Sequence, residues 1–121
     1  MTSVLIVEDT LTEAEIITGT LKNAGFTTTV ATSSEDAKIK LSQQKPDLIV
    51  MDVVLPGESG FELCRELKEK PETKDIPIIM CSTKSGEMDK FWGMKQGASA
   101  YVTKPIDPDE LVRTAKLLSK G

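Results

Sequence analysis

Five short runs of β-favouring, largely apolar residues punctuate the chain: Val4–Val7, Thr27–Ala31, Leu48–Met51, Ile76–Cys81 and Ala100–Val102. Each is bounded by polar, Gly or Pro residues, the pattern of a strand. Between them the apolar residues return at helical spacing. Ala14, Ile17, Leu21 and Ala24 precede Gly25; Ala37, Ile39 and Leu41 form a second group; Phe61, Leu63, Cys64 and Leu67 follow Ser59; Met88, Phe91, Trp92 and Met94 precede Gly97. A last helix holds Leu111, Val112, Ala115 and Leu118, and its start is the best marked. Asp107 can cap it, Pro108 suits the first helical position, and Asp109 and Glu110 favour the positive end of the helix dipole. Strand and helix thus alternate five times. VLIV and LIVM lack the polar alternation of a half-exposed strand, which predicts an α/β domain whose parallel sheet is covered by helices on both faces.

A length of 121 residues suits one domain with one core. No repeat, low-complexity stretch or linker interrupts it, and the most loop-like insert is KEKPETKDIP before the fourth strand. Lys and Arg number 15 against 19 Asp and Glu, a net charge of -4 that argues against direct binding to nucleic acid or anionic membranes. No run reaches transmembrane length, and MTSVLIVEDT enters its first strand without the basic region of a signal peptide, so a cytoplasmic protein without membrane insertion is expected. Cys64 and Cys81 sit in periodic apolar segments without metal-ligand spacing and read as buried, reduced thiols. Histidine is absent, which removes the commonest acid-base residue and the commonest zinc ligand.

In sheets of this class ligands bind beyond the carboxyl ends of the strands. Those ends carry Glu8-Asp9, Asp52, Ser82-Thr83 and Thr103-Lys104-Pro105. Singly, each has an ordinary reading as a turn, a cap or a solvated charge. Together they place acids, hydroxyls and a lysine on one rim. Clustered carboxylates repel unless a cation intervenes, and oxygen ligands without His or Cys suit Mg²⁺, which takes few protein ligands. Mg²⁺ and Lys104 would neutralise an incoming phosphoryl group, Asp52 could accept it, and the Ser82 hydroxyl could bond one of its oxygens.

The ordered set VEDT, MDVVLPGESG, PIIMCST and YVTKP resembles the receiver domain of two-component response regulators, over practically the whole chain. The resemblance implies a flavodoxin-like (βα)5 three-layer sandwich with strand order 2-1-3-4-5. It implies that Asp52 takes phosphate from a phosphohistidine on a sensor histidine kinase or phosphotransfer protein. Asp9, Asp52 and the Val54 backbone carbonyl would bind Mg²⁺ directly and Glu8 through water. Lys104 would pair with the acceptor carboxylate or its phosphoryl group, with a cis bond to Pro105. Ser82 and Tyr101 match the switch hydroxyl and aromatic. Phosphorylation in such proteins draws the hydroxyl in, favours an inward aromatic and shifts the face of helix four, strand five and helix five. Phe91, Trp92 and Tyr101 are the expected partner face, with part of DKFWGMKQGASAY in the core. Pro56 and Gly60 match the turn after the acceptor. Thr83 stands where the family often has a smaller residue, and Val54 and Lys84 hold positions that tune phosphate lifetime.

The chain ends soon after its fifth helix, at LLSKG, so residues 1–121 are expected to be a single receiver domain without an output domain. Output would be the binding of a downstream protein target, or drainage of phosphate from a shared kinase, by a monomer or weak dimer that is a switch and not an enzyme. The segment around Trp92 also resembles stand-alone receivers of type IV pilus and taxis systems. Two other readings compete: a degenerate receiver that binds partners without phosphorylation, and an aspartyl-phosphate phosphatase. The latter would need a second acid two residues after the nucleophile, where Val54 stands.

Overall fold

The computed structural model describes residues 2–119. Its strands are β1 (Ser3–Val7), β2 (Thr27–Ala31), β3 (Leu48–Met51), β4 (Ile78–Ser82) and β5 (Ala100–Thr103), all parallel in the order β2-β1-β3-β4-β5. Each is followed by a helix: α1 (Leu11–Asn23), α2 (Ser34–Gln43), α3 (Gly60–Glu69), α4 (Glu87–Lys95) and α5 (Pro108–Leu118). This is the flavodoxin-like sandwich with strand order 2-1-3-4-5 that the resemblance implied.

Successive side chains of a strand point to opposite faces, so one apolar run feeds two cores. Leu5, Val7, Ile49, Met51, Ile78 and Met80 face one side, where Ala37 of α2 and Leu63, Cys64 and Leu67 of α3 cover them. Val4, Ile6, Leu48, Val50, Ile79 and Cys81 face the other, against Ile17 and Leu21 of α1 and Leu111 and Ala115 of α5. Each fully buried Leu or Ile contributes about 1.5–3 kcal/mol. Both cysteines are free and buried. Burial pushes their thiols up, Cys64 to about 11 and Cys81 to about 12.

The predicted fourth strand begins two residues late, at Ile78. The Ile76 N–H closes a turn onto Thr73 O (3.0 Å), and Pro77 has no N–H to give the ladder. Side-chain caps set the starts of α2, α3 and α5: Ser33 accepts from Asp36 N, Ser59 and Glu62 form a reciprocal capping box, and Asp107 accepts from Asp109 N ahead of Pro108. Part of DKFWGMKQGASAY enters the core as expected, at Ala98 and through the Tyr101 ring, but the large apolar side chains of α4 do not. Met88 (76%), Phe91 (57%), Trp92 (48%) and Met94 (46%) are all exposed, and the helix is buried only at Gly93. Tyr101 and Phe61 fill the space where a side chain on that face would lie.

Candidate functional site

Ladder bonding continues one residue past three strands, which fixes the backbones of the rim residues. Glu8 N–H donates to Ala31 O (2.9 Å), Asp52 N–H to Val7 O (3.0 Å) and Lys104 N–H to Ser82 O (3.0 Å). Their side chains then converge. Lys104 Nζ donates to Glu8 Oε1 and to Asp52 Oδ2 (3.0 Å), with Glu13 Oε1 at 3.7 Å. The ammonium-bearing side chain is 5% exposed and that of Glu8 1%. Burial works against the Lys104 charge, but bonds to Glu8 and Asp52 hold its pKa above the ordinary lysine value. Burial raises the Glu8 carboxyl, opposed by Lys104 and by the Thr10 N–H bonded to Oε2 (3.1 Å). The charged lysine is the form these contacts favour, since removal of its proton would leave two inward carboxylates without their shared counter-charge.

The loop after β3 is anchored from several sides. Val54 N–H donates to Asp52 Oδ1 (3.3 Å), and Gly60 N–H donates to Val53 O (2.8 Å). Gly57 takes φ +72, a left-handed conformation that suits glycine in the turn after Pro56. Gly60 is required by proximity: a Cβ there would overlap the Asp52 carbonyl. Ser34 Oγ donates to Glu58 O (2.9 Å), while Lys38 bridges Glu58 (3.1 Å) and Glu66 (2.7 Å), tying the loop to α2 and α3.

Glu8, Asp52 and Lys104 thus meet directly. Asp9 lies exposed at the rim, and Val54 presents its side chain to solvent, 55% exposed. Among the described residues no three His, Cys, Asp or Glu side chains form a ready metal cage. The donor set suits an ion that keeps most of its waters: the acids Glu8, Glu13 and Asp52 lie about one ammonium, so negative charge is in excess, and Asp9 follows Glu8 at the rim. Glu13 was missed in the sequence. Its signal was its place in the first turn of α1, the helix that begins just after Glu8-Asp9 on this same rim. A groove of about 930 Å³ lies elsewhere, between α1 and α5, and no rim acid lines it.

Ser82 is fully buried at the end of β4, and its Oγ accepts from Lys84 N–H (3.2 Å). The Tyr101 hydroxyl donates to the carbonyl of the same residue, Lys84. The peptide groups on either side of one residue thus connect the two predicted switch side chains. The Tyr101 ring packs on the core, and burial raises its phenol above the ordinary value. Lys104-Pro105 is cis.

Residues 4–116 match the response regulator receiver domain. The chain belongs to this family. It is 40% identical over 121 residues to Protein PilH of Pseudomonas aeruginosa, covering 100% of each chain. The receiver domain of a signal transduction histidine kinase from Syntrophus aciditrophicus superposes with a TM-score of 0.92 at 35% identity, over 100% of this chain and 92% of that one. The receiver domain of the sensor histidine kinase PA1611 from Pseudomonas aeruginosa, solved with a magnesium ion in its active-site cleft, gives 0.90 at 25% identity over 99% and 98%. As a receiver, this chain is built for phosphorylation-dependent signalling. Among its described residues no helix is long and apolar enough to cross a membrane.

Proposed function

We propose that this receiver is a phosphoacceptor switch in which Asp52 takes a phosphoryl group from a phosphohistidine of a sensor histidine kinase or phosphotransfer protein. The observation that carries the reading is the buried ammonium of Lys104 held between Glu8 and Asp52. An Asp52 oxygen attacks phosphorus, the P–N bond of the donor breaks, and its electron pair leaves with the imidazole, which takes up a proton. Lys104, already bonded to Asp52 Oδ2, turns to the phosphoryl oxygens as they arrive. Asp9, Asp52 and the Val54 carbonyl would hold Mg²⁺, with Glu8 reaching it through water. When bound, the ion supplies positive charge that screens the carboxylates and the incoming phosphoryl oxygens.

Ser82 then exchanges its bond from Lys84 N–H for a phosphoryl oxygen. This acts on the Lys84 segment that receives the Tyr101 hydroxyl and on the neighbouring face of α4, β5 and α5. Phe91 and Trp92, both exposed, offer that face an aromatic anchor for a downstream protein. The end-to-end similarity to Protein PilH supports a place in pilus-linked taxis signalling. The domain works as a switch and not as a turnover enzyme, because Val54 puts no general acid beside Asp52.

Incubation with Mg²⁺ and acetyl phosphate tests this by intact mass, with Trp92 fluorescence followed in parallel. The expected result is one phosphate adduct, absent from Asp52→Ala, and a fluorescence change that needs Mg²⁺. A chain that takes no adduct and gives no Mg²⁺-dependent change is a degenerate receiver instead.

A further inference from the structure

α4 meets the sheet through a position with no side chain. In the nine-residue helix Glu87–Lys95, Gly93 is the buried residue, although glycine is the least favourable helix-interior residue after proline. A Cβ built there would lie 3.0 Å and 3.1 Å from Cδ2 and Cε2 of Tyr101 and 3.4 Å from Cε1 of Phe61. The two Tyr101 contacts fall below ordinary van der Waals separation. The same ring carries the hydroxyl that donates to Lys84 O, so its place against α4 and its bond to the β4–α4 loop are one conformation. β5 is an edge strand, and an outward swing of the ring is the open way to relieve the crowding.

We propose that Gly93 is a positioning residue for the switch: it forms a notch in α4 that admits the Tyr101 ring, and a methyl group in that notch holds the ring out. The proposal rests on the reading of Tyr101 as the switch aromatic. By that reading, filling the notch penalises the inward, signalling conformation without touching Asp52, Lys104 or Ser82. Bulk at position 93 therefore sets the balance between the two Tyr101 conformations, and with it the strength of the response to phosphorylation.

The chain contains one Tyr and one Trp, so ring signals need no assignment among rivals. Wild type and Gly93→Ala are compared by NMR without ligand, and then titrated with beryllofluoride at saturating Mg²⁺. Wild type is expected to show cross-peaks between the Tyr101 ring and the Gly93 α-protons. Gly93→Ala is expected to lose ring contact with position 93 and to bind beryllofluoride on the order of tenfold more weakly. The melting temperature separates this from a general packing effect. Alanine is the better helix former, so Gly93→Ala should raise it clearly in a Tyr101→Ala background and little or not at all in wild type.

An equal rise in both backgrounds, or an unmoved Tyr101 ring in Gly93→Ala, overturns the proposal. The unliganded NMR comparison does not depend on phosphorylation. A wild type that shows the ring packed at Gly93 yet never responds to beryllofluoride marks failure of the switch reading itself, and the notch then has nothing to position.

Discussion

β3 is bracketed by two aspartates, Asp47 before Leu48 and Asp52 after Met51, and they do opposite work. Asp47 lies exposed at the amino end of the sheet, where its Oδ2 accepts from the backbone N–H (2.8 Å) and hydroxyl (3.3 Å) of Ser3. Its own N–H donates to Ser3 O (2.9 Å), so it serves to join the starts of β1 and β3. Asp52 lies buried at the carboxyl end, on a shared ammonium and among other acids. One strand thus carries the same residue type as a structural tie at one end and as a charge held for chemistry at the other. Position relative to the direction of the parallel strands separates the roles.

The largest expected effect falls on the counter-charge at the carboxyl end. Lys104→Met leaves Glu8 and Asp52 inward-facing and unpaired, and should cost about 3 kcal/mol of stability in urea unfolding. Most of that loss should disappear when the same change is made in a Glu8→Gln, Asp52→Asn background, because the stranded charges are then gone. An equal loss in both backgrounds would show that Lys104 acts through packing alone.

The two aspartates themselves should respond with opposite sign. Asp47→Ala removes the acceptor for Ser3 and should destabilise by about 1 kcal/mol while leaving the phosphate adduct intact. Asp52→Asn keeps the shape but removes one of the carboxylates crowded about Lys104, and should raise stability by about 1 kcal/mol while abolishing the adduct. Two changes of the same sign would remove the contrast. The smallest effect concerns lifetime. Val54→Asn puts a polar group beside the acceptor where the exposed valine cannot orient water, so phosphate loss should quicken severalfold in a timed mass measurement. Unchanged or slower loss would count against a role for Val54.

The fold and the rim were legible because both rest on one-dimensional signals. Unbroken apolar runs mark strands buried on both faces, and LIVM ends directly before Asp52 in the structure as it does in the sequence. The contact between Lys104 and Glu8 was less legible. Their separation of 96 positions is bridged only by the fold, and side-chain direction decided that Glu8 is buried on the ammonium while Asp9 remains at the rim. Glu13 escaped notice because a first-turn glutamate is ordinary on any helix. How α4 is seated was illegible for a related reason: hydrophobicity does not say which face of a short helix meets the sheet. The contact is made at Gly93, where the informative feature is a missing atom opposite a ring eight residues away in sequence.

The central claim is that the carboxyl-end aspartate of β3 alone is the acceptor. Phosphorylation with acetyl phosphate and Mg²⁺, reduction of the acyl phosphate by borohydride and tandem mass sequencing would place the modification directly. The account predicts homoserine at position 52 and unmodified aspartate at 9 and 47. Homoserine at either of those positions, or reduction of Glu8 in place of Asp52, would contradict it.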